Sequence, residues 1–162
     1  MPPRDSSRER GKMIAEERLV QSWFFKGFTR AQIDTLLANG QEVFYPAGGK
    51  VLVEGEPAES FHVLVQGAVS IKMRIEEHGE LVLSTFRQTG EIFGWSTLVE
   101  GGRFTATAEC LEESRIISFK RKNLEDLFTR DPSLGYLFMK RLAGLISRRL
   151  ESTRALLLKE IS

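Results

Sequence analysis

Cysteine and histidine are scarce in this chain of 162 residues. The single cysteine, Cys110, excludes an internal disulfide, an iron–sulfur cluster and a cysteine-rich zinc site, and it fits a reducing compartment. The two histidines, His62 and His78, lie in different segments and are too few for a three-histidine metal centre. We therefore expect no metal, no cofactor and no catalytic activity.

Long apolar runs and an excess of one charge are also absent. No apolar stretch approaches the ~20 residues that cross a membrane, and the opening MPPRDSSRERGK lacks the apolar centre of a secretion signal. The 23 basic and 22 acidic side chains leave a formal charge of +1, which gives no general attraction to nucleic acid or membrane. We expect a cytoplasmic protein without a direct nucleic-acid or membrane partner.

Apolar residues are sufficient for one folded domain. They make up 41% of the chain and include 11 phenylalanines. Residues 1–12 contain almost no apolar side chains, and this composition predicts a disordered leader. Residues 13–162 are expected to form the domain.

Residues 13–40 have the periodicity of helices. AEERLVQSWFF places Leu19, Trp23 and Phe24 near one face. FTRAQIDTLLANG predicts a short capped helix, with Thr29 as the N-cap, Gln32 completing a capping box and Gly40 as the stop.

Residues 41–120 change to a period of two, and glycines interrupt the pattern. Seven or eight short β-rich runs with closely spaced turns predict an antiparallel sandwich or barrel. Within FHVLVQGAVSIKM, the pair Gln66–Gly67 is a candidate for a two-residue hairpin turn.

Residues 121–162 return to a helical period. Asn123 is a candidate N-cap for a short helix, and Asp131–Pro132 begin a second helix of about 29 residues, which would be roughly 43 Å long. Its six basic side chains between Lys140 and Lys159 predict a solvated face, with nucleic-acid contact as the less favoured alternative.

The long helix carries two apolar stripes. One stripe is expected to pack on the β-structure and contains Leu134, Leu137, Phe138 and Leu145. The other resembles a coiled-coil seam and predicts a homodimer through Met139, Leu142, Ile146, Leu150 and Leu157. The alternative is that both stripes fold back onto one domain.

The order of these elements over residues 18–158 resembles the cyclic nucleotide-binding domain. It is most similar to the sensor half of the bacterial catabolite-activator and fumarate–nitrate-regulator family. The resemblance rests on KVLVEGE, which follows Gly49 and contains Gly55, and on FHVLVQGAVSIK, GEIFGWSTL, RIISFKRKNLEDLF and RRLEST. It implies a mainly β fold with flanking helices: a jelly-roll-like β-roll, or double-stranded β-helix, at residues 41–120 and a long C-terminal helix.

The resemblance also implies a ligand pocket around Phe93 and Gly94. In relatives that bind cyclic nucleotides, a Glu after this glycine binds the ribose, and an Arg about ten residues later pairs with the cyclic phosphate. Here these positions hold Trp95 and Phe104. Arg103 is one residue early and would reach the phosphate only if the Gly101–Gly102 turn were shortened or bulged.

Other residues match the pattern better. Thr105 and Ala106 correspond to the small residues after the Arg, and Thr153 keeps the first hydroxyl of a pair on the long helix, whereas Arg154 replaces the second. The implied ligand, a cyclic nucleotide or another small anion, would contact Phe93, Gly94, Trp95, Ser96, Thr97, Arg103, Phe104, Thr105, Ala106 and Thr153. Alternatively, Trp95 and Phe104 line an apolar pocket, or fill the core of a site that is no longer used.

Two functions remain open from the sequence. The first is a non-catalytic sensor with an altered phosphate cassette, which binds a small ligand and signals through its C-terminal helix and a homodimer. The alternative is a structural or interaction domain with a vestigial pocket. A metal-dependent enzyme of the cupin kind needs clustered histidines and is disfavoured. The chain is expected to be a stand-alone sensor without the helix-turn-helix of its relatives, or a sensor cut from a longer protein.

Overall fold

The computed structural model describes residues 6–162. The helices in this range are α1 (Ser6–Gln21), α2 (Arg30–Ala38), α3 (Arg121–Arg130) and α4 (Pro132–Ile161). The strands are β1 (Gln41–Tyr45), β2 (Lys50–Leu52), β3 (Ser60–Gln66), β4 (Val69–Ile75), β5 (Gly79–Phe86), β6 (Ile92–Phe93), β7 (Thr107–Cys110) and β8 (Ser114–Lys120). A short 3₁₀ helix, Trp95–Leu98, follows β6.

The N-terminal helices confirm one prediction and correct another. Thr29 caps α2: its hydroxyl accepts from the amide of Gln32, and the Gln32 side chain accepts from the amide of Thr29. The predicted disordered leader is wrong over residues 6–12, which are helical, and residues 1–5 lie outside the described residues. Charged straight-chain residues extend a helix at little entropic cost once Ala15 and Leu19 anchor it by burial.

The strands form two four-stranded antiparallel sheets, as the period of two predicted. The first sheet has the order β1-β8-β3-β6, and the second has the order β2-β7-β4-β5. The predicted hairpin at Gln66–Gly67 is wrong, because β3 and β4 belong to different sheets. Gly67, with a φ of 118°, instead turns the chain from one sheet into the other.

Alternation along β3 divides the hydrophobic residues between two cores. Phe61 and Val63 point outward from the first sheet into a helical core formed with α1–α4. Leu64 points inward and packs with residues such as Phe93 and Phe104 in the roll core between the sheets. The fold is therefore the expected β-roll, with helices covering one of its outer faces.

The C-terminal helices agree with the sequence except at one cap. Helix α3 begins at Arg121 rather than after Asn123, because β8 runs directly into it at Lys120. Asp131 caps α4 by accepting from the amide of Leu134, and Pro132 occupies the first turn. At 30 residues, α4 is about 45 Å long.

The apolar residues of α4 that pack on the rest of the chain lie in its first half, and Arg149 extends the contact by about one turn. The predicted packing stripe is in place: Leu134 and Phe138 are buried, and Leu137 and Leu145 pack against the helical core. Two members of the predicted dimer seam also belong to this core, since Leu142 is 3% exposed and Ile146 packs beside it. The prediction that Leu142 and Ile146 belong to a dimer seam is therefore wrong. Spacings of i+3 and i+4 are found both in helix faces that pack within one domain and in seams between two helices, so the sequence did not separate the two.

Beyond Arg149, α4 is exposed. All residues from 151 to 162 lie in solvent, as do the other predicted seam residues, Met139, Leu150 and Leu157. No helix within residues 6–162 has an apolar stretch long enough to cross a membrane.

Replacement of Gly67 by alanine should destabilise the fold strongly. A Cβ at this position would lie 2.7 Å from the Cα of Ser114, in addition to the strain of a positive φ. Gly27→Ala is the matched control, because Gly27 also has a positive φ but has open space around it, so this variant should lose about 1–2 kcal/mol. Urea denaturation should show a clearly larger loss for Gly67→Ala, and equal losses would contradict the close packing at Ser114.

Candidate functional site

The 3₁₀ helix after β6 is the centre of the candidate site. Gly94 begins it in the left-handed conformation, with a φ of 80°, and a side chain there would come within 3.0 Å of the carbonyl oxygen of Ser60. Thr97 is fully buried and its hydroxyl donates to the same Ser60 oxygen at 2.7 Å. The turn is thus fastened to the start of β3, where glycine and threonine are both required.

Trp95 does not point into the roll. Its side chain is half-buried against the helical core, on the opposite side of the first sheet from the roll interior. The amides of Trp95 and Ser96 have no hydrogen-bond acceptor among residues 6–162, and Ser96 is buried. The backbone at the predicted anion position therefore keeps free donors, although the side chain after Gly94 is turned away.

Phe104 fills the roll interior at the place where the resemblance expects an arginine. Its side chain is 8% exposed and packs in the roll core with Leu52 and Phe93. The backbone is fixed on both sides, because the Phe104 amide donates to Glu56 and the Phe104 carbonyl accepts from Gly55. An apolar ring thus occupies the expected position of a phosphate-binding guanidinium.

Arg103 lies on the other face of this segment. It pairs with Pro57 in an isolated antiparallel bridge, and its exposed guanidinium donates to the carbonyl oxygen of Gly55 at 2.9 Å. The next two residues of the predicted site are also outside the roll core, since Thr105 is exposed and Ala106 is half-buried. Arg103 is thus directed to solvent, as the one-residue shift along an extended chain requires.

Thr153 remains apart from these residues. It lies on the exposed second half of α4, and its hydroxyl donates to the carbonyl oxygen of Arg149 within the same helix. The described chain therefore brings Phe93, Ser96, Thr97 and Phe104 into buried positions around the roll, but leaves Arg103, Thr105 and Thr153 exposed.

A cavity of about 530 Å³ opens into the roll beside Phe104. Its inner wall combines apolar side chains, Leu52 and Phe104, with the polar side chains of Ser60, His62 and Ser118. The charged residues that line it are Glu56, Glu59 and Lys120. The lining therefore carries more negative than positive charge.

His62 is the buried polar residue of this cavity. It is 3% exposed, stacks on the ring of Phe93 at 5.3 Å, and has its Nδ1 at 2.8 Å from the hydroxyl oxygen of Ser118. Burial disfavours the charged ring and lowers the pKa of His62 to about 4, so that it is neutral at physiological pH. The sequence gave no sign that His62 lines a cavity, because its partner Ser118 lies 56 residues away.

Metal ligands are not assembled in this structure. Within residues 6–162, no group of three or more His, Cys, Asp or Glu side chains could hold a metal ion.

The fold and this turn define a family. The family model described as "Cyclic nucleotide-binding domain" matches residues 42–131, which is more than half of the chain. The chain therefore belongs to the cyclic nucleotide-binding domain family.

Two curated relatives place it more closely. The chain is 28% identical over 138 residues to the "CRP-like cAMP-activated global transcriptional regulator" of Mycobacterium tuberculosis, covering 85% of this chain and 59% of the relative. It is 25% identical over 126 residues to the "Cyclic AMP receptor protein" of Thermus thermophilus, covering 78% of this chain and 56% of the relative. The chain thus spans less than two thirds of the length of either regulator.

Solved structures agree on the fold. The Thermus thermophilus catabolite activator protein is similar with a TM-score of 0.74 and 26% identity, covering 84% of this chain and 62% of that chain. A cyclic nucleotide-binding domain from Methylobacillus flagellatus is similar with a TM-score of 0.81, covering 93% of this chain and 85% of that chain; at 21% identity it supports the fold alone.

The buried His62 should make stability depend on pH. The pKa of His62 is 6.5 in the unfolded chain and about 4 in the folded chain. Between these two pH values the unfolded state binds the proton and the folded state does not. The contribution of His62 to the free energy of unfolding is therefore complete above pH 6.5 and falls as the pH is lowered. Between pH 7.5 and pH 5 the free energy of unfolding should decrease by about 2 kcal/mol because of this residue.

Urea denaturation at both pH values measures this loss. His62→Leu should be less stable at pH 7.5, because the Ser118 hydroxyl loses its partner, but its dependence on pH should be flatter. His78→Gln, which changes an exposed histidine, is the matched control and should keep the wild-type dependence. An unchanged slope in His62→Leu would mean that His62 is not held neutral by burial.

Proposed function

We propose that the chain is a non-catalytic sensor domain whose roll binds a small ligand without the usual phosphate contacts. The observation that supports this most directly is the burial of Phe104 in the roll core, at the position that the family uses for a phosphate-binding arginine. Trp95, at the ribose-binding position, is packed on the other side of the sheet. The phosphate cassette keeps its backbone turn but has changed its recognition groups.

The charge of the roll cavity supports the same proposal. Two carboxylates, Glu56 and Glu59, line it with one ammonium group, that of Lys120. The buried His62 adds no positive charge at neutral pH, since its pKa is about 4. Such a lining disfavours a cyclic phosphate and suits an uncharged ligand with polar groups that can bond to Ser60, His62 or Ser118.

The missing contacts have a predictable effect on affinity. Each hydrogen bond to a charged group contributes about 1.5–3 kcal/mol. The loss of two such contacts weakens binding by about two to four decades, at about 1.4 kcal/mol per decade. The relatives are named as cAMP-activated or cAMP-receptor proteins, whereas this chain lacks the charged residues expected at the two positions that would bind the ribose and the phosphate.

The exposed end of α4 supports assembly with a second copy of the chain. Five apolar side chains there are between 57% and 81% exposed: Leu150, Leu156, Leu157, Leu158 and Ile161. They continue the helix beyond the part that the chain's own core covers, which is typical of a helix that packs against a partner helix. We propose that the domain acts in the cytoplasm as a homodimer through α4, and that ligand binding in the roll changes how α4 is held.

A second candidate function rests on this same surface. An interaction domain with a vestigial pocket needs only the exposed apolar end of α4, with Phe104 and Trp95 serving as core residues. It differs from the sensor in one measurable respect, because it binds no ligand in the roll.

Binding of cyclic AMP should be weak. Titration calorimetry should give an affinity about two to four decades lower than that of the Thermus thermophilus cyclic AMP receptor protein measured in parallel, since two charged contacts are lost. Affinity equal to that of the relative would show that the cassette is not altered in function.

Ligands of the roll should be found by thermal shift with a panel of uncharged and anionic small molecules. We expect uncharged compounds to stabilise the wild type, and Phe104→Leu to reduce that stabilisation. Phe44→Leu, which changes a phenylalanine that is 63% exposed, should leave it unchanged. If no member of the panel stabilises the wild type, the interaction domain becomes the better account.

Dimerisation should depend on the exposed half of α4. Analytical ultracentrifugation should detect a dimer for the wild type and a monomer for the double variant Leu150→Glu and Leu157→Glu, because charges would replace apolar contacts between the copies. Leu111→Glu, which changes a leucine that is 50% exposed and lies outside α4, should remain dimeric. A monomeric wild type would exclude this assembly.

A further inference from the structure

A second cavity lies outside the roll, where three distant segments meet. It has a volume of about 440 Å³ and is bounded by the end of α1 with the following loop, by the β5–β6 connection and by α4. This volume is within the range of small-molecule sites. The residues that decide its chemistry are Trp23, Phe86, Gln88, Glu91, Arg148 and Arg149.

Arg149 is the central cation of this cavity. Its guanidinium lies 5.0 Å from the centre of the Phe86 ring and donates one hydrogen bond, at 2.6 Å, to the carbonyl oxygen of Ile92. Burial lowers the pKa of this guanidinium, and the negative charge of Glu91 opposes that shift. A guanidinium has five N–H donors, so a half-buried group that uses one of them has donors left for a ligand.

Arg148 adds a second cation on the same wall. Its guanidinium lies 4.5 Å from the centre of the Trp23 ring, and the neighbouring Arg141 lies 4.1 Å from the same ring. Arg141 is held in place by hydrogen bonds to the carbonyl oxygens of Trp23 and Phe24. The aromatic contact orients Arg148 without neutralising its charge.

No carboxylate of the described residues forms an ion pair with Arg148 or Arg149, although the charge of Glu91 acts on Arg149. Glu91 is the one carboxylate among the lining residues, and its Oε2 accepts from the amide of Gln88. The hydroxyls of Ser22 and Thr89 donate to the carbonyl oxygens of Leu19 and Val65 and so offer no donor to a ligand.

We propose that this cavity binds a small organic anion, a phosphate or carboxylate carried on a planar ring, through the guanidinium groups of Arg149 and Arg148. The charged group of such a ligand would take the free N–H donors, and its ring would contact the apolar side chains of the wall. The roll cavity has the opposite charge balance, so the two cavities select different ligands. Because α4 forms one wall, an anion here would hold the middle of α4 against the β5–β6 connection.

Trp23 provides a direct measurement of binding. The chain has two tryptophans, and Trp95→Phe leaves Trp23, at the cavity, as the single tryptophan, which can be excited selectively above the absorption of the two tyrosines. We would titrate this variant with phenyl phosphate, benzoate and inorganic phosphate, at constant ionic strength maintained with sodium chloride. Phenyl phosphate and benzoate separate the two anionic groups, and inorganic phosphate tests the need for the ring.

A saturable change in Trp23 fluorescence with phenyl phosphate or benzoate is the expected result. Arg149→Gln should weaken it by about tenfold to a hundredfold, as expected for loss of a hydrogen bond to a charged group. Arg154→Gln removes the same charge from the exposed part of α4 and should bind as the parent does. Arg149→Lys keeps the charge but loses the paired N–H donors of the guanidinium, so its affinity should lie between those of Arg149→Gln and the parent.

The site would be excluded if neither aromatic anion gave a saturable change in Trp23 fluorescence. It would also be excluded if Arg149→Gln and Arg154→Gln bound these anions with equal affinity, or if sodium chloride alone gave the same fluorescence change as the aromatic anions. If Arg149→Gln does not fold, Arg148→Gln and Arg149→Lys decide the question, because both should weaken binding while the circular dichroism spectrum stays that of the parent. The site is independent of any ligand in the roll, so failure here leaves the proposed function untouched.

Discussion

Phe138 of α4 joins three parts of the chain that are far apart in sequence. Its ring lies 5.1 Å from that of Phe24, which precedes α2, and 5.3 Å from that of Phe61 on β3. Burial of these rings stabilises the helical core and fixes α4 against the outer face of the first sheet. The cavity beside Arg149 and the free end of α4 take their positions from this contact, because both depend on where α4 lies.

The candidate site combines a fixed backbone turn with an apolar interior. Gly94 and Thr97 keep the turn tied to β3. Phe104 occupies the roll core and the guanidinium of Arg103 faces solvent, and under the proposed function these are the changed recognition groups. A fold can therefore be inherited while the chemistry of its pocket changes, and function has to be argued from the side chains that line the pocket.

Local features of this fold were predictable from the sequence, and long-range ones were not. The capping box of Thr29 and Gln32 and the start of α4 at Asp131 depend on residues within one helical turn, so their spacing reveals them. The transfer of the chain between sheets at Gly67 depends on Ser114, and the burial of Leu142 depends on which face of α4 meets the sheet. The cavity beside Arg149 was missed because Trp23, Glu91 and Arg149 are separated by more than fifty residues at each step.

The anchoring of α4 along one half has a mechanical consequence. Beyond Arg149, which is held on the carbonyl oxygen of Ile92, about twelve residues project, a length of roughly 18 Å at ~1.5 Å per residue. A tilt of about 10° at the anchored base would move the far end by about 3 Å, while the rings around Phe138 shifted far less. In the proposed homodimer, α4 would convert a small rearrangement beside the roll into a larger displacement where the two helices pack.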